Sequence, residues 1–183
     1  MKARCVRIFA LALFMQVVLH AGRLLASPPG GDPGGRPGET DQEHAIRIDI
    51  PVVLTKADVV FNMDHMAFSG DMSIGINYMR LLSNRFKEMN TQGHIIGVFH
   101  GEAAYLTLND NAYNIYRKVT TGNPHKELIA ELQKLGVQIE ECGVSMKNHG
   151  WGNDDLLGGV KVNSGAIVRL IQLSQQGYVQ IEP

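Results

Sequence analysis

Cysteine is almost missing from this 183-residue chain, which holds only Cys5 and Cys142. Two cysteines 137 positions apart cannot staple a disulfide framework, so stability must come from a packed core. A surplus of one charge sign is also lacking, with 17 basic residues against 18 acidic ones. No basic run stands out, which argues against nucleic acid as a partner. No G-x-x-x-x-G-K-[ST] or strand-linked G-x-G-x-x-G occurs, so nucleotide binding has no support. Ser69, Ser73 and Ser164 lack a G-x-S-x-G setting, which leaves a hydrolase triad unsupported. The longest apolar run, Ile8 to Leu19, is about a dozen residues, short of the roughly 20 a membrane span needs.

That run follows Lys2, Arg4 and Arg7 and precedes small residues at Ala21, Gly22, Ala26 and Ser27. The order matches a secretory signal over residues 1–26. Its removal would take four basic and no acidic residues, leaving 13 against 18, a formal charge of −5. The expected location is therefore periplasmic or secreted, with no membrane contact after cleavage. Residues 27–43 hold Pro28, Pro29, Pro33 and Pro37 among glycines and read as a flexible tether. The folded domain is expected over 44–183, about 140 residues.

Within it, strand-like and helix-like stretches alternate. After an extended stretch over 46–54, strands are expected at 57–63, 94–100, 137–141, 160–162 and 178–181. Gly70-Asp71-Met72-Ser73 reads as a turn and cap for a helix over 72–89. That helix places Ile74, Tyr78, Leu81, Leu82, Phe86 and Met89 on one face. Further helices are expected at 103–119, 124–135 and 165–176, with a short or irregular piece at 145–157. The last helix lines up Ile167, Leu170, Ile171 and Ser174. Such alternation implies crossover connections and an α/β fold with a parallel sheet covered on both faces.

In open α/β sheets, ligands and reactive groups collect beyond the carboxyl ends of the strands. Those ends carry Asp64 and His65, then His100 and Gly101, then Cys142 and Gly143, with Glu102 and His149 a little further on. Each histidine alone also reads as a surface or structural residue. The coincidence at three strand ends makes Cys142, His100 and His65 the candidate catalytic set. A thiol in an exported chain that has lost Cys5 is inert and buried, paired between chains, or a working nucleophile. A helix starting near Ser145 would point its N–H groups at the sulfur and favour thiolate, as would Lys147 or a protonated histidine. Strand alternation turns Glu141 away from Cys142 and leaves Glu140 as the opposing charge. Trp151 is placed to form part of a lid. Cys142, His65, His100 and a carboxylate are also suitable ligand types for zinc or copper, although no tight pair fixes a geometry.

The run Leu135-Gly136-Val137 … Cys142-Gly143-Val144-Ser145-Met146 continues into Asp155-Leu156-Leu157-Gly158-Gly159-Val160-Lys161-Val162. Ser164-Gly165-Ala166 … Arg169-Leu170-Ile171-Gln172-Leu173 and Gln176-Gly177-Tyr178 complete the pattern, which resembles the DsrE/DsrF-like family. The resemblance implies a flavodoxin-like three-layer sandwich with a five-stranded, mainly parallel sheet, and a tendency to form oligomers. It also implies sulfur relay: a cysteine matching Cys142 takes up sulfane sulfur as a persulfide and passes it to a partner. On that reading the partner is a sulfur donor or acceptor protein and His100 or His65 adjusts protonation. No cofactor is needed, because thiolate attack on a sulfane sulfur is itself the transfer. The rival is a non-catalytic binding or assembly module, metal-dependent or not, using the same sheet edge. For a homo-oligomer, Tyr105, Leu106, Leu108, Tyr113 and Tyr116 are the candidate contact residues; the alternative is that some of them simply line a pocket.

Overall fold

The computed structural model describes residues 46–183, so the expected signal over 1–26 and tether over 27–43 lie outside the described residues. The chain runs β1 (Val59–Met63), β2 (Phe68–Ser69), β3 (Met72–Ser73), α1 (Ile74–Met89) and β4 (Ile95–Phe99). A 3-10 turn at Gly101–Thr107 leads to α2 (Asp110–Arg117), α3 (Lys126–Lys134), β5 (Gln138–Cys142) and α4 (Gly143–His149). After a second 3-10 turn at Asn153–Asp155 come β6 (Lys161–Asn163), α5 (Ala166–Gln175) and β7 (Val179–Ile181).

The main sheet has five strands in the order β6-β5-β4-β1-β7, and every pairing is parallel. Its centre is apolar on both sides: all residues of β1 (VVFNM) and β4 (IIGVF) are buried, as a two-faced parallel sheet requires. From β1 the chain steps through β4 and β5 to β6 in one direction, then α5 carries it back to β7. Right-handed crossovers in opposite directions put their helices on opposite faces. Accordingly Phe61, Met63, Phe99 and Ile139 pack with residues of α1, α2, α3 and α4 in one core. Val60, Ile96, Val98 and Cys142 pack on the other face against Ala166, Leu170 and Leu173 of α5.

Several helix faces differ from the sequence expectation. In α1 the buried positions are Gly75, Ile76, Met79, Ser83 and Phe86, while Tyr78 and Leu81 are exposed. The two apolar rows of this helix are nearly equivalent in sequence, and the sheet selects the one carrying Met79, which lies against Gly97. The Gly70 turn is real but closes the small β2–β3 hairpin, and Ser73 at the helix start makes no side-chain cap. The expected helix over 103–119 divides into the 3-10 turn and α2, because Asn109 interrupts it and caps α2 by accepting from the Ala112 N–H at 2.9 Å. Along α5, Leu170 and Leu173 face the sheet, whereas Ile167 and Ile171 face outward. Among the described residues one helix covers that side of the sheet, so its coverage is thinner than expected. Finally, Tyr105, Leu106, Leu108 and Tyr113 are buried core residues. They are not an assembly surface, and only Tyr116 of that set is exposed.

Candidate functional site

Strand alternation decides which side chains meet. On β1, β4 and β5 the even-numbered residues Asn62, Val98, Glu140 and Cys142 face α5. The parallel register pairs Phe99 with Glu141 and Cys142 with Asn163. One residue beyond the first of these pairs stand His100 and Cys142. The sheet therefore brings His100 and Cys142 together at the carboxyl ends of two adjacent strands, with Asn62 on the next.

Cys142 ends β5 and occupies the position preceding α4, which begins at Gly143 rather than near Ser145. Gly143 sits so close to β6 that a Cβ would stand 2.8 Å from the Asn163 carbonyl oxygen. This close approach holds the α4 start against the sheet edge. From the other side, the start of α5 brings the Ala166 N–H to 3.3 Å from Cys142 Sγ. Burial pushes the thiol up, but hydrogen bonds from the Ser145 N–H, the Ala166 N–H, the Ser145 hydroxyl and the Val144 N–H outweigh it. The thiol consequently sits below its ordinary value. Lys147 lies in the last turn of α4, not at the Gly143 start beside the sulfur.

The sulfur opens into a cavity of about 410 Å³ lined by His100, Gly101, Ser145, Gly165 and Ile167 among others. A second cavity shares His100 and Ile167 and is bordered by Asn62 and Asp64. His100 thus stands at the junction. Its Nε2 is 2.7 Å from Asn62 Oδ1, while Asn62 Nδ2 donates to Glu182. Because that amide uses its nitrogen on the carboxylate, its oxygen must accept, and His100 must carry its proton on Nε2. Nδ1 is left as the basic nitrogen. Burial lowers the His100 pKa against a smaller opposing effect of the Asp64 charge, so the ring is neutral at pH 7. Across the cavity, Ser145 Oγ accepts from the Gly101 N–H at 3.2 Å. Gly101 has φ +56°, and a Cβ there would stand 2.7 Å from the Asp64 carbonyl oxygen, so glycine is required.

Other candidates lie elsewhere. His65 is exposed and bonded to Asp64, which raises its pKa, and it lines neither cavity. His149 stacks on Trp151 with ring centroids 4.4 Å apart, and both rings pack edge-on against Tyr116. Trp151 belongs to the core on the opposite face of the sheet and cannot act as a lid over Cys142. Glu102 is exposed and borders neither cavity. Among the described residues, no group of three or more His, Cys, Asp or Glu side chains is placed to hold a metal ion.

The two glutamates before Cys142 have opposite fates. Glu140 shares its face, yet its charge is matched by Arg169 of α5, whose Nη2 donates at 2.7 Å. Burial pushes Glu140 up, but hydrogen bonds from Arg169, Gln138 and Asn163 bring it below its ordinary value. Glu141 points to the other core, fully buried, and burial raises its pKa to about 8. Its Oε2 lies 2.8 Å from the Thr107 hydroxyl, which lies 3.0 Å from the Ala104 carbonyl. A hydroxyl has one proton. With Glu141 protonated, the carboxyl donates to Thr107 and Thr107 donates to Ala104, so every group is satisfied. Sequence reading missed Asn62, Ser145 and Arg169. Arg169 had a signal: an acidic residue on the buried face of a central strand requires a cation across from it.

The fold and site define a parallel α/β protein with a sheltered, hydrogen-bonded thiol at a strand end. The chain belongs to the DsrE/DsrF-like family, whose model matches residues 59–183. No curated protein matches it. Among solved structures it is similar to MTH1491 of Methanobacterium thermoautotrophicum, described as a protein of unknown function. The identity is 21%, the TM-score 0.54, and the match covers 69% of this chain and 99% of that one. The ychN protein of E. coli is 17% identical with a TM-score of 0.49, over 69% of this chain and 99% of its own. At these identities the likeness concerns the fold.

Proposed function

We propose that the protein is an exported carrier of sulfane sulfur, held as a persulfide on Cys142. The observation that carries this reading is the thiol itself. It accepts hydrogen bonds from the starts of α4 and α5, its pKa is lowered, and it opens into a cavity beside a neutral histidine. Thiolate, not thiol, attacks sulfur, and the same N–H groups would stabilise the terminal anion of a persulfide. In the transfer, Cys142 thiolate attacks the outer sulfur of a donor persulfide R–S–SH. The S–S bond breaks, R–S⁻ leaves, and Cys142 keeps S–SH. His100 Nδ1 is the basic nitrogen available for the persulfide proton. Membership of the DsrE/DsrF-like family supports the sulfur assignment, and the acceptor is a partner protein. Export rests on the basic start and short apolar run of residues 1–26.

Intact mass after incubation with a sulfane donor tests the carrier. A gain of about 32 Da, one sulfur atom, is expected. It should be reversed by reductant, absent in Cys142→Ser and slowed in His100→Ala. A folded protein that never gains mass would refute it. N-terminal sequencing of protein from its native host tests export, with a start between Gly22 and Pro28 expected and an intact Met1 in the cytoplasm opposing it.

A further inference from the structure

A polar cavity of about 490 Å³ adjoins the Cys142 cavity and shares Ser164 and Val168 with it. Its floor is Glu140, 3% exposed, and its walls carry Gln138, Lys161, Asn163, Arg169 and Gln172. The carboxylate is saturated. Oε1 accepts from Gln138 Nε2 at 2.7 Å and from Arg169 Nη2 and Nε at 2.7 and 3.1 Å. Oε2 accepts from Arg169 Nε at 2.9 Å and Asn163 Nδ2 at 3.2 Å. Arg169 and Glu140 cancel, and no other acid lines the cavity. The ammonium of Lys161 remains, donating to the amide oxygen of Gln138 at 2.6 Å. An amide oxygen satisfies one of three N–H groups and none of the charge.

We infer that this cavity is the binding site for the carboxylate of a small thiol persulfide, with Lys161 as its anchor. The inference rests on the carrier reading above and names the class of donor that loads Cys142. Register supplies the span: Lys161 pairs with Glu140, and Asn163 with Cys142. Lys161 is therefore one two-residue strand step, roughly 7 Å, from the row of the thiol and on the same face. A donor whose carboxylate is several bonds from its sulfane sulfur reaches both. Cys142 thiolate takes the outer sulfur of R–S–SH, and R–S⁻ departs with its carboxylate still on Lys161.

The test compares loading of Cys142 by glutathione persulfide and by the persulfide of glutathione diethyl ester, followed by intact mass. The free acid is expected to load about fivefold faster, the scale of a partly exposed ion pair. Lys161→Gln should erase that preference by slowing the acid alone, and Lys161→Arg should keep it. A lysine that only guards the edge strand against pairing would leave the ratio unchanged in Lys161→Gln, and that result overturns the inference. Equal loading by both donors in the parent protein overturns it too. If neither donor loads Cys142, the carrier reading fails. The site is then judged by S-methylglutathione titrated into Cys142→Ser: binding lost in Lys161→Gln upholds the anchor, and no binding rejects it.

Discussion

The Ala166 N–H points at Cys142 Sγ from 3.3 Å, and the two residues belong to elements that β6 separates in the chain. Two helix starts therefore converge on one sulfur, α4 continuing directly from β5 and α5 arriving across the sheet edge. Each start has N–H groups with no partner inside its helix. A sulfur anion can take these up, which is why a nearly buried thiol still has a lowered pKa.

Ser145 is the component of this arrangement that can be removed with least disturbance. Its hydroxyl donates to the sulfur and accepts from the Gly101 N–H. Ser145→Ala should raise the thiol pKa toward its ordinary value. Alkylation of Cys142 would then slow at pH 7 and return to the parent rate at pH 10, where both thiols are ionised. Rates measured across pH in folded and denatured protein check this. Identical profiles for parent and variant would show that the backbone N–H groups act alone.

Glu141 makes stability depend on pH with an unusual sign. Its folded pKa of about 8 lies above the ordinary 4.5, so folding takes up a proton between those values. Stability is fully present below the lower value and declines as pH rises toward 8. Glu141→Gln preserves both contacts, accepting from the Cys142 N–H and donating to Thr107. It should stabilise the protein by about 4 kcal/mol at pH 8 and by little at pH 4.5. Urea unfolding at both pH values reads this. A pH-independent difference would mean that Glu141 is ionised in the fold.

The fold was legible in the sequence because β1 and β4 are short apolar runs bounded by turn residues, because the stretch ending at Cys142 stops at a glycine, and because helices separate them. Helix faces were harder to read. Both α1 and α5 carry more apolar residues than one face accommodates, and only the sheet decides which row is buried. At the site, His100 and Cys142 were readable as strand ends on one face. His65 was not separable from them, but it stands two residues past the end of β1, where the chain has turned outward, while His100 stands only one past β4. Trp151 was misplaced for a different reason: nine residues after Cys142 in sequence, α4 has carried the chain to the other face.

The Arg169–Glu140 pair predicts an acid-sensitive cost. Glu140 is nearly buried and its pKa is lowered, so the pair contributes stability above the ordinary carboxylate range and loses it as pH falls through the folded value. Arg169→Leu leaves that charge unpaired and should cost about 3 kcal/mol at pH 7. Adding Glu140→Gln should recover much of the loss. The released charge also stands two residues from Cys142 on the same face, so Arg169→Leu should raise the thiol pKa, and the double variant should not. Denaturant unfolding and alkylation together separate the two effects. Loss of stability without any change in the thiol would limit Arg169 to a packing role.

The outer face of α5 predicts assembly. Ile167, Val168 and Ile171 are 73%, 59% and 54% exposed on the only helix covering this side of the sheet among the described residues. An exposed apolar row of this kind marks an interaction site. A second copy of the chain would bury it, and the thiol cavity, which Ile167 and Val168 also line, would then open at or beside the contact. Light scattering of residues 44–183 should give a multiple of the monomer mass. Ile171→Glu, which places a charge on this face away from the Cys142 cavity, should return the monomer with its fold intact by circular dichroism. A parent protein that stays monomeric at high micromolar concentration would rule out self-assembly through α5.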